Sequence, residues 1–147
     1  MNKLLVPNDL LLGEVSRMLN EGHKVVIMTK GVSMLPFIVG DRDSVELEKR
    51  DSYRIGDIVL AKVEDKRWVL HRLVSVEGEK AVLKGDGNLV GIERCATRDI
   101  AGAVTFIIRP GGKTDCSSRE FARKSRRWKE LPYFVRRIVL GIFRRLI

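Results

Sequence analysis

The spacing of hydrophobic residues changes from a helical to a strand pattern within the first 30 residues. Apolar side chains at positions 11, 12, 15, 18 and 19 recur every three or four residues, which predicts an amphipathic helix over residues 8–19. Gly22 is a suitable stop for that helix. Residues 24–30 form a short run rich in β-branched and apolar side chains, and this pattern predicts a strand.

Alternating apolar and polar positions predict further strands in the middle of the chain. Residues 43–49 alternate so that one face of the strand is apolar and the other is polar. The other predicted strands cover residues 57–63, 68–77, 80–84 and 100–108, and short turns at 65–66 and 78–79 join three of them into hairpins. Arg109-Pro110-Gly111-Gly112 then ends what we expect to be the last strand. The pattern therefore predicts a mainly β fold behind one leading helix.

The composition indicates a single domain inside the cell, without a bound cofactor. The 147 residues are 44% hydrophobic and 32% charged, which is enough apolar material for one core. No run of 18 apolar residues occurs, and the first seven residues do not have the pattern of a secretory signal. Two cysteines and two histidines are too few for a zinc cluster, so we expect no metal and no cofactor. In a cytoplasmic protein, we expect Cys95 and Cys116 to be free thiols.

The net charge of +9 is unevenly distributed along the chain. Residues 1–116 carry 18 Lys and Arg against 17 Asp and Glu, a balance of +1, whereas residues 117–147 carry 10 against 2, a balance of +8. We therefore divide the chain into a nearly neutral body, residues 1–116, and a basic C-terminal segment, residues 117–147.

The basic C-terminal segment has the pattern of two helices separated by Pro132. In the second helix, four arginines fall on one side, and aromatic and aliphatic residues such as Phe134, Ile138 and Ile142 fill the rest. Three interpretations are open: the helix packs on the body, lies on an anionic membrane surface, or binds nucleic acid. The third is the weakest, because phosphate contacts would leave the apolar side unused.

A serine suited to nucleophilic catalysis lies just after the first predicted strand. The stretch Gly31-Val32-Ser33-Met34-Leu35-Pro36 places Ser33 between a glycine and a proline, which predicts a constrained turn. A serine hydroxyl is a poor nucleophile until a neighbouring base takes its proton. Ser33 is therefore a candidate nucleophile only if the fold places such a base next to it.

His71 is the candidate base and Asp86 is the candidate acid. In the predicted strand over residues 68–77, alternation places His71 on the same face as Val69 and Leu73. Asp86 follows one hairpin later, within reach of that strand. Ser, His and Asp in this order form the skeleton of an acyl-transfer triad. The simpler interpretation of His71 is a core histidine that bonds a backbone carbonyl.

Five short motifs occur in a recognisable order between about residues 24 and 108. They are Gly31-Val32-Ser33-Met34-Leu35-Pro36, Gly56-Asp57-Ile58-Val59, His71-Arg72, Gly85-Asp86-Gly87-Asn88 and Ile100-Ala101-Gly102-Ala103-Val104. Each motif alone is weak, but their order and spacing form a strong joint signal. The succession resembles the type I signal peptidases and their relatives, the LexA-like self-cleaving repressors.

The resemblance implies a signal-peptidase-like β fold in which Ser33 is the nucleophile. Bacterial signal peptidases and the repressors place a lysine base where this chain has His71. The archaeal and endoplasmic-reticulum branch has histidine before arginine, as in His71-Arg72. Signal peptidases also have an N-terminal membrane helix, and the repressors have a DNA-binding domain, whereas this chain begins with an amphipathic helix. We therefore expect a compact, unanchored bacterial member of the superfamily.

The resemblance leaves two candidates for the third triad member. The histidine branch has a Gly-Asp-Asn-Asn box, which Gly85-Asp86-Gly87-Asn88 resembles. It also has an acidic pair shortly afterwards, where this chain has Gly91-Ile92. Asp86 is therefore the first candidate and Asp99 is the reserve.

Together these features predict a serine endopeptidase that cleaves a peptide or protein precursor, either itself or another chain. Ser33 attacks the peptide carbonyl, His71 acts as general base and then as general acid, and Asp86 orients the imidazole. The alternative is a non-catalytic peptide-binding or regulatory module that holds an extended peptide by strand addition. We expect a cytoplasmic location, at the inner face of the membrane if residues 117–147 bind anionic lipid, and no nucleic-acid partner.

Overall fold

A computed structural model describes residues 8–147 of the chain. Within these residues the chain forms helices and strands in the order α1 (Asn8–Asn20), β1 (Val25–Met28), β2 (Ser44–Glu48), β3 (Ile58–Lys62), β4 (Trp68–Glu77), β5 (Lys80–Lys84), β6 (Glu93–Ala96), a 3₁₀ turn (Thr97–Asp99), β7 (Ile100–Arg109), β8 (Gly112–Asp115), α2 (Arg119–Glu130) and α3 (Tyr133–Leu146). The predicted mainly β fold with a leading helix and C-terminal helices is confirmed.

The strands form one curled antiparallel sheet in the order β1-β2-β7-β3-β4-β5-β6. Strand β7 connects the two halves, because it pairs with β2 along one edge and with β3 and then β8 along the other. The register shifts between Leu60 and Ala61 of β3, and between Leu73 and Ser75 of β4. Such bulges increase the local twist, which helps the sheet to curl.

The structure adds two strands to those predicted from the sequence. Strand β6 contains Glu93 and Arg94, and β8 contains Lys113 and Asp115, so neither has the apolar alternation of a half-buried strand. Both are held by main-chain pairing, β6 with β5 and β8 with β7. The prediction that residues 100–108 are the last strand is therefore wrong, because the turn after Arg109 leads into β8.

Each face of the sheet covers its own hydrophobic core. On one face, α1 places Val15 and Leu19 against residues of β2, β3 and β7 that include Leu47 and Leu60. On the other face, the core is formed within the curled sheet by apolar residues of β3, β4, β5, β6 and β7, among them Val59, Ala61, Val69, Leu73, Leu83 and Ala103. Strand β4 contributes to both faces, so its successive residues lie in different surroundings.

The two helices of residues 117–147 pack against the body. Phe121 of α2 joins the core that contains α1, and Trp128 of α2 packs with Leu140 of α3 in a third cluster. This third cluster also contains Leu35 and Val39, which belong to the loop that carries the candidate serine. The boundary at residue 116 is therefore crossed by buried contacts. No helix within residues 8–147 is long and apolar enough to span a bilayer.

Candidate active site

The loop between β1 and β2 carries Ser33 and is fastened at its base by Thr29 and Asp43. The Thr29 main-chain N–H and hydroxyl donate to the Asp43 carbonyl oxygen at 3.0 and 2.7 Å. The fully buried Asp43 carboxylate accepts the N–H of Val39 through Oδ2 at 2.8 Å. Because buried polar groups with satisfied hydrogen bonds hold a single conformation, Ser33 lies on a constrained loop, as the sequence predicted.

His71 lies in the middle of β4 on the apolar face, opposite Val59 in the register of β3. Its side chain is 6% exposed, and Val69 and Leu73 on the same strand are also buried. Burial lowers the pKa of His71 below its ordinary value of 6.5, because the imidazolium loses its hydration. The negative charges of Glu93 and Asp86 offset part of this effect. The imidazole is therefore neutral at pH 7 and able to accept a proton.

Gly85 is the point at which the Ser33 loop meets the strand that bears His71. A Cβ atom on Gly85 would lie closer than 3.0 Å to the Ser33 carbonyl oxygen and 3.2 Å from His71 Nε2. The Gly87 N–H donates to the same Ser33 carbonyl oxygen at 2.8 Å. The absence of a side chain at Gly85 thus allows the serine main chain to approach the imidazole.

The Ser33 hydroxyl makes no hydrogen bond to His71 within the described part of the chain. Two main-chain N–H groups of the loop, those of Ser33 and Met34, likewise donate no hydrogen bond among residues 8–147. They are the candidate donors for an oxyanion, which forms when a nucleophile adds to a peptide carbonyl.

Asp86 contacts Arg72 instead of His71. The Arg72 guanidinium donates through Nε to Oδ1 at 3.2 Å and through Nη2 to Oδ2 at 2.6 Å. The side chains are only 9% and 10% exposed. No hydrogen bond joins Asp86 to His71 in the part of the chain that the structure describes, so the expectation that Asp86 orients the imidazole is not met. The reason is that Arg72 and His71 project from opposite faces of β4, and the carboxylate lies on the Arg72 side.

Arg72 is the centre of a buried cluster that joins α2 to the sheet. Its Nη1 donates to the Gly56 carbonyl oxygen at 3.0 Å and to Ser125 Oγ at 3.1 Å. The guanidinium lies against two aromatic rings that also contact each other, 5.3 Å from the centroid of Phe37 and 5.4 Å from that of Phe121. Cation–π contacts of this kind add to the ion pair in holding the group in place. Sequence reasoning noted Arg72 only as part of a motif and missed this role.

Glu93 is the acidic residue with the greatest effect on His71, and sequence reasoning missed it. The register pairs Leu73 with Leu83 and Leu83 with Glu93, so Glu93 shares the His71 face of the sheet. Its charge raises the pKa of His71 more than that of Asp86 does. The Glu93 carboxylate accepts from Arg67 at 2.9 Å. His71 Nδ1 is buried and has no hydrogen-bond partner among residues 8–147.

Asp99, the reserve candidate, lies away from Ser33 and His71. It belongs to the exposed 3₁₀ turn before β7 and lines a depression of about 430 Å³ next to α1. Neither Ser33 nor His71 lines that depression. The structure thus places the Ser33 main chain and His71 Nε2 on either side of Gly85, pairs Asp86 with Arg72, and leaves Asp99 outside.

The arrangement places the Ser33 main chain next to a buried, neutral imidazole. No cluster of three or more metal-ligating side chains occurs within residues 8–147. Cys95 and Cys116 are free, and burial raises the pKa of their thiols to about 11 and about 12, so neither is a nucleophile at neutral pH. A search of the chain against models of known protein families finds no match.

Proposed function

We propose that the protein is a serine endopeptidase that cleaves a peptide or protein precursor, with Ser33 as nucleophile and His71 as general base. The observation that carries the proposal is the close approach at Gly85, where the Ser33 main chain and His71 Nε2 meet across a residue without a side chain. The lowered pKa of His71 supports it, because only the neutral imidazole can accept the serine proton.

The proposed reaction follows the two-step course of acyl transfer. The Ser33 hydroxyl oxygen bonds to the substrate carbonyl carbon while its proton passes to His71 Nε2. The N–H groups of Ser33 and Met34 stabilise the oxyanion. The tetrahedral intermediate then loses the amine, which takes the proton from His71, and the C–N bond breaks. Water next attacks the acyl-enzyme while His71 accepts its proton. The bond between the Ser33 oxygen and the acyl carbon then breaks, and His71 returns the proton to Ser33 as the acid product leaves.

For the first step, the Ser33 side chain has to turn towards His71 when substrate binds. Hydrogen bonds between nucleophile and base are often long before substrate binds and tighten in the complex. Asp86 contributes to this mechanism as a positioning residue through Arg72 and through the loop that includes Gly85. It does not contact the imidazole.

The test is digestion of a peptide library, with cleavages identified by mass spectrometry, by the wild type and by Ser33→Ala. We expect cleavages by the wild type and their complete loss in Ser33→Ala. The thermal midpoint should stay almost unchanged, since a surface substitution of this kind alters stability by no more than about 0.5 kcal/mol. Ser75→Ala on β4 is the matched control and should cleave normally. Equal digestion by the wild type and Ser33→Ala would refute the proposal.

A second candidate function is a non-catalytic peptide-binding module on the same fold. The observation in its favour is that His71 Nδ1 has no hydrogen-bond partner among residues 8–147, whereas a catalytic histidine is usually oriented by an acid at that nitrogen. This alternative predicts that neither the wild type nor Ser33→Ala cleaves the library and that both bind its peptides equally. The same digestion therefore separates the two functions.

We also propose that α3 binds the surface of an anionic membrane. Helix α3 contacts the body through Leu140, Val139 and Phe143. It leaves a second apolar stripe uncovered, whose members are 54–78% exposed and lie four residues apart: Phe134, Ile138, Ile142 and Leu146. Arg137, Arg144 and Arg145 are exposed beside this stripe, and residues 131–147 contain no acidic residue. An exposed apolar stripe flanked by arginines fits the boundary between lipid headgroups and acyl chains.

Liposome co-sedimentation tests the membrane proposal. Vesicles of phosphatidylcholine with phosphatidylglycerol should bind the protein, and vesicles of phosphatidylcholine alone should bind it weakly, because each arginine near an anionic surface contributes about 1 kcal/mol. Added salt should weaken this binding without abolishing it, since apolar insertion is not screened.

The variant for this test is Ile138→Ser with Ile142→Ser, which should lose binding. Val90→Ser is the control, because Val90 is 84% exposed but lies on the body. Failure of the wild type to sediment with anionic vesicles would refute the membrane proposal. So would a concentration-dependent dimer that the double variant abolishes, since the stripe would then be an interface between two copies.

A further inference from the structure

A groove with a volume of about 940 Å³ lies between α2 and the sheet, and its lining is strongly basic. Six cationic side chains line it in addition to Arg72, and they come from separate segments: Arg50, Arg54, Lys84, Arg126, Lys129 and Arg136. The acidic residues that line it are Asp57 and Asp86. Both are already paired, Asp57 with Arg50 at 3.5 Å and Asp86 with Arg72 at 2.6 Å.

Most of the cations in the groove have no acidic partner within the described residues. Arg54, Lys84, Arg126, Lys129 and Arg136 form no ion pair there. Arg136 Nε is also buried and has no hydrogen-bond partner among residues 8–147. A buried N–H of a charged group is normally paired, so Arg136 Nε is a donor beside the groove for which residues 8–147 supply no acceptor.

The groove is long enough for a short extended peptide and reaches the candidate active site. Residues of α2 from Ser118 to Lys129 line it, a distance of about 16 Å at 1.5 Å per residue. An extended chain covers that distance with about five residues. Gly85 lines the groove and also adjoins Ser33 and His71 Nε2. Neither Ser33 nor His71 lines the groove itself. A peptide in the groove would therefore approach the proposed nucleophile and base at Gly85.

We propose that the groove binds an acidic segment of the substrate, so that the preferred substrates contain a segment with several Asp or Glu residues. This inference rests on the proposed endopeptidase function. Carboxylates would pair with the unpartnered cations, and their aliphatic stems would contact the exposed apolar part of the lining, which includes Ile55. That apolar lining favours a peptide over a nucleic acid, whose phosphates would use the cations alone.

Fluorescence anisotropy with the full-length Ser33→Ala variant tests the inference, because binding can then be measured without cleavage. The probe is a labelled decapeptide with five consecutive glutamates, and its partner is the same peptide with five glutamines. We expect the glutamate peptide to bind at least tenfold more tightly, with an affinity that falls as salt is added.

Two double variants on α2 remove the same charge from different sides of the helix. Arg126→Gln with Lys129→Gln removes two cations that line the groove, and we expect it to weaken binding of the glutamate peptide at least tenfold. Arg123→Gln with Arg127→Gln removes two exposed cations that do not line the groove, and it should change binding by less than about threefold. Arg136→Gln is a second test of the groove, with its thermal midpoint measured to confirm folding.

Three results would overturn the inference. The first is equal binding of the glutamate and glutamine peptides, and the second is equal loss of binding in the two double variants. The third is tighter binding of a pentathymidylate than of the glutamate peptide. These results are distinguishable from failure of the proposed function. If the wild type cleaves neutral peptides as fast as acidic ones, the groove inference fails and the endopeptidase remains. If the acidic peptide binds but no library peptide is cleaved, the endopeptidase function fails and binding of acidic peptides in the groove remains.

Discussion

Substitution of Gly85 by alanine tests the geometry on which the proposed active site depends. The new Cβ would lie closer than 3.0 Å to the Ser33 carbonyl oxygen, so the Ser33 main chain has to retreat by about 1 Å to reach an ordinary contact of 3.4 Å or more. His71 Nε2, at 3.2 Å, has to yield by a smaller amount. A misplacement of about 1 Å costs on the order of 100-fold in rate, which corresponds to about 2.7 kcal/mol in the activation free energy.

The same substitution overpacks the contact between the Ser33 loop and β5, which costs about 1–3 kcal/mol of folding free energy. The protein should therefore remain folded while cleavage falls. Gly91→Ala is the matched control, because a Cβ on Gly91 would meet no atom within 4 Å. Rates of library cleavage and urea unfolding curves should be measured for both variants. If Gly85→Ala cleaves within about twofold of Gly91→Ala, Ser33 and His71 do not act together across Gly85.

Three further predictions follow from the buried groups. In NMR titration, the imidazole of His71 should titrate below pH 6.5, and cleavage should fall with it. The unfolded chain binds this proton at a higher pH than the folded chain does, so the free energy of unfolding should decrease as the pH falls below about 6.5. A titration midpoint of His71 at or above 6.5 would contradict this prediction. Asp86→Asn should lower the free energy of unfolding, measured from urea unfolding curves, by about 3–5 kcal/mol, because it leaves Arg72 buried without its ion pair. Unchanged stability with lost cleavage would instead indicate that Asp86 acts on His71. At pH 8, iodoacetamide should alkylate Cys95 and Cys116 more than about 100-fold more slowly than a free cysteine, as followed by mass spectrometry; rapid reaction of either would show that it is not buried in solution.

The sequence predicted the strands that bury side chains and missed those that do not. Strands β4 and β5 begin and end where the pattern placed them, at Trp68–Glu77 and Lys80–Lys84. Their alternation reflects burial of one face, which is a property of the local sequence. Strands β6 and β8 exist because β5 and β7 offer unpaired main-chain groups along their edges. This main-chain pairing depends on residues outside β6 and β8, so the side chains within the two strands show no pattern that would predict it.

The same distinction explains which site residues could be predicted. The turn at Ser33 and the face of His71 were predictable, because a glycine and a proline constrain the turn and because alternation fixes the face of His71. The partner of Asp86 depends on the side of β4 on which the loop after β5 places its carboxylate. That side is the one from which Arg72 projects. Glu93 was missed for a related reason, since it faces His71 only through the pairing of β6, a strand that the pattern did not reveal.

The basic C-terminal segment shows why a count of charge along the chain does not identify a separable unit. The excess of +8 in residues 117–147 suggested an appendage, yet Phe121, Trp128 and Leu140 are 3–7% exposed and pack against the body. Burial of each such side chain contributes about 1.5–3 kcal/mol, so loss of any one of them would be large compared with the net 5–15 kcal/mol by which a typical domain is stable. An arginine-rich helix can hold such residues because its charged groups occupy the remaining faces. Six of the ten Lys and Arg residues of this segment lie along the groove or on the outer side of α3, where each proposed partner would meet them.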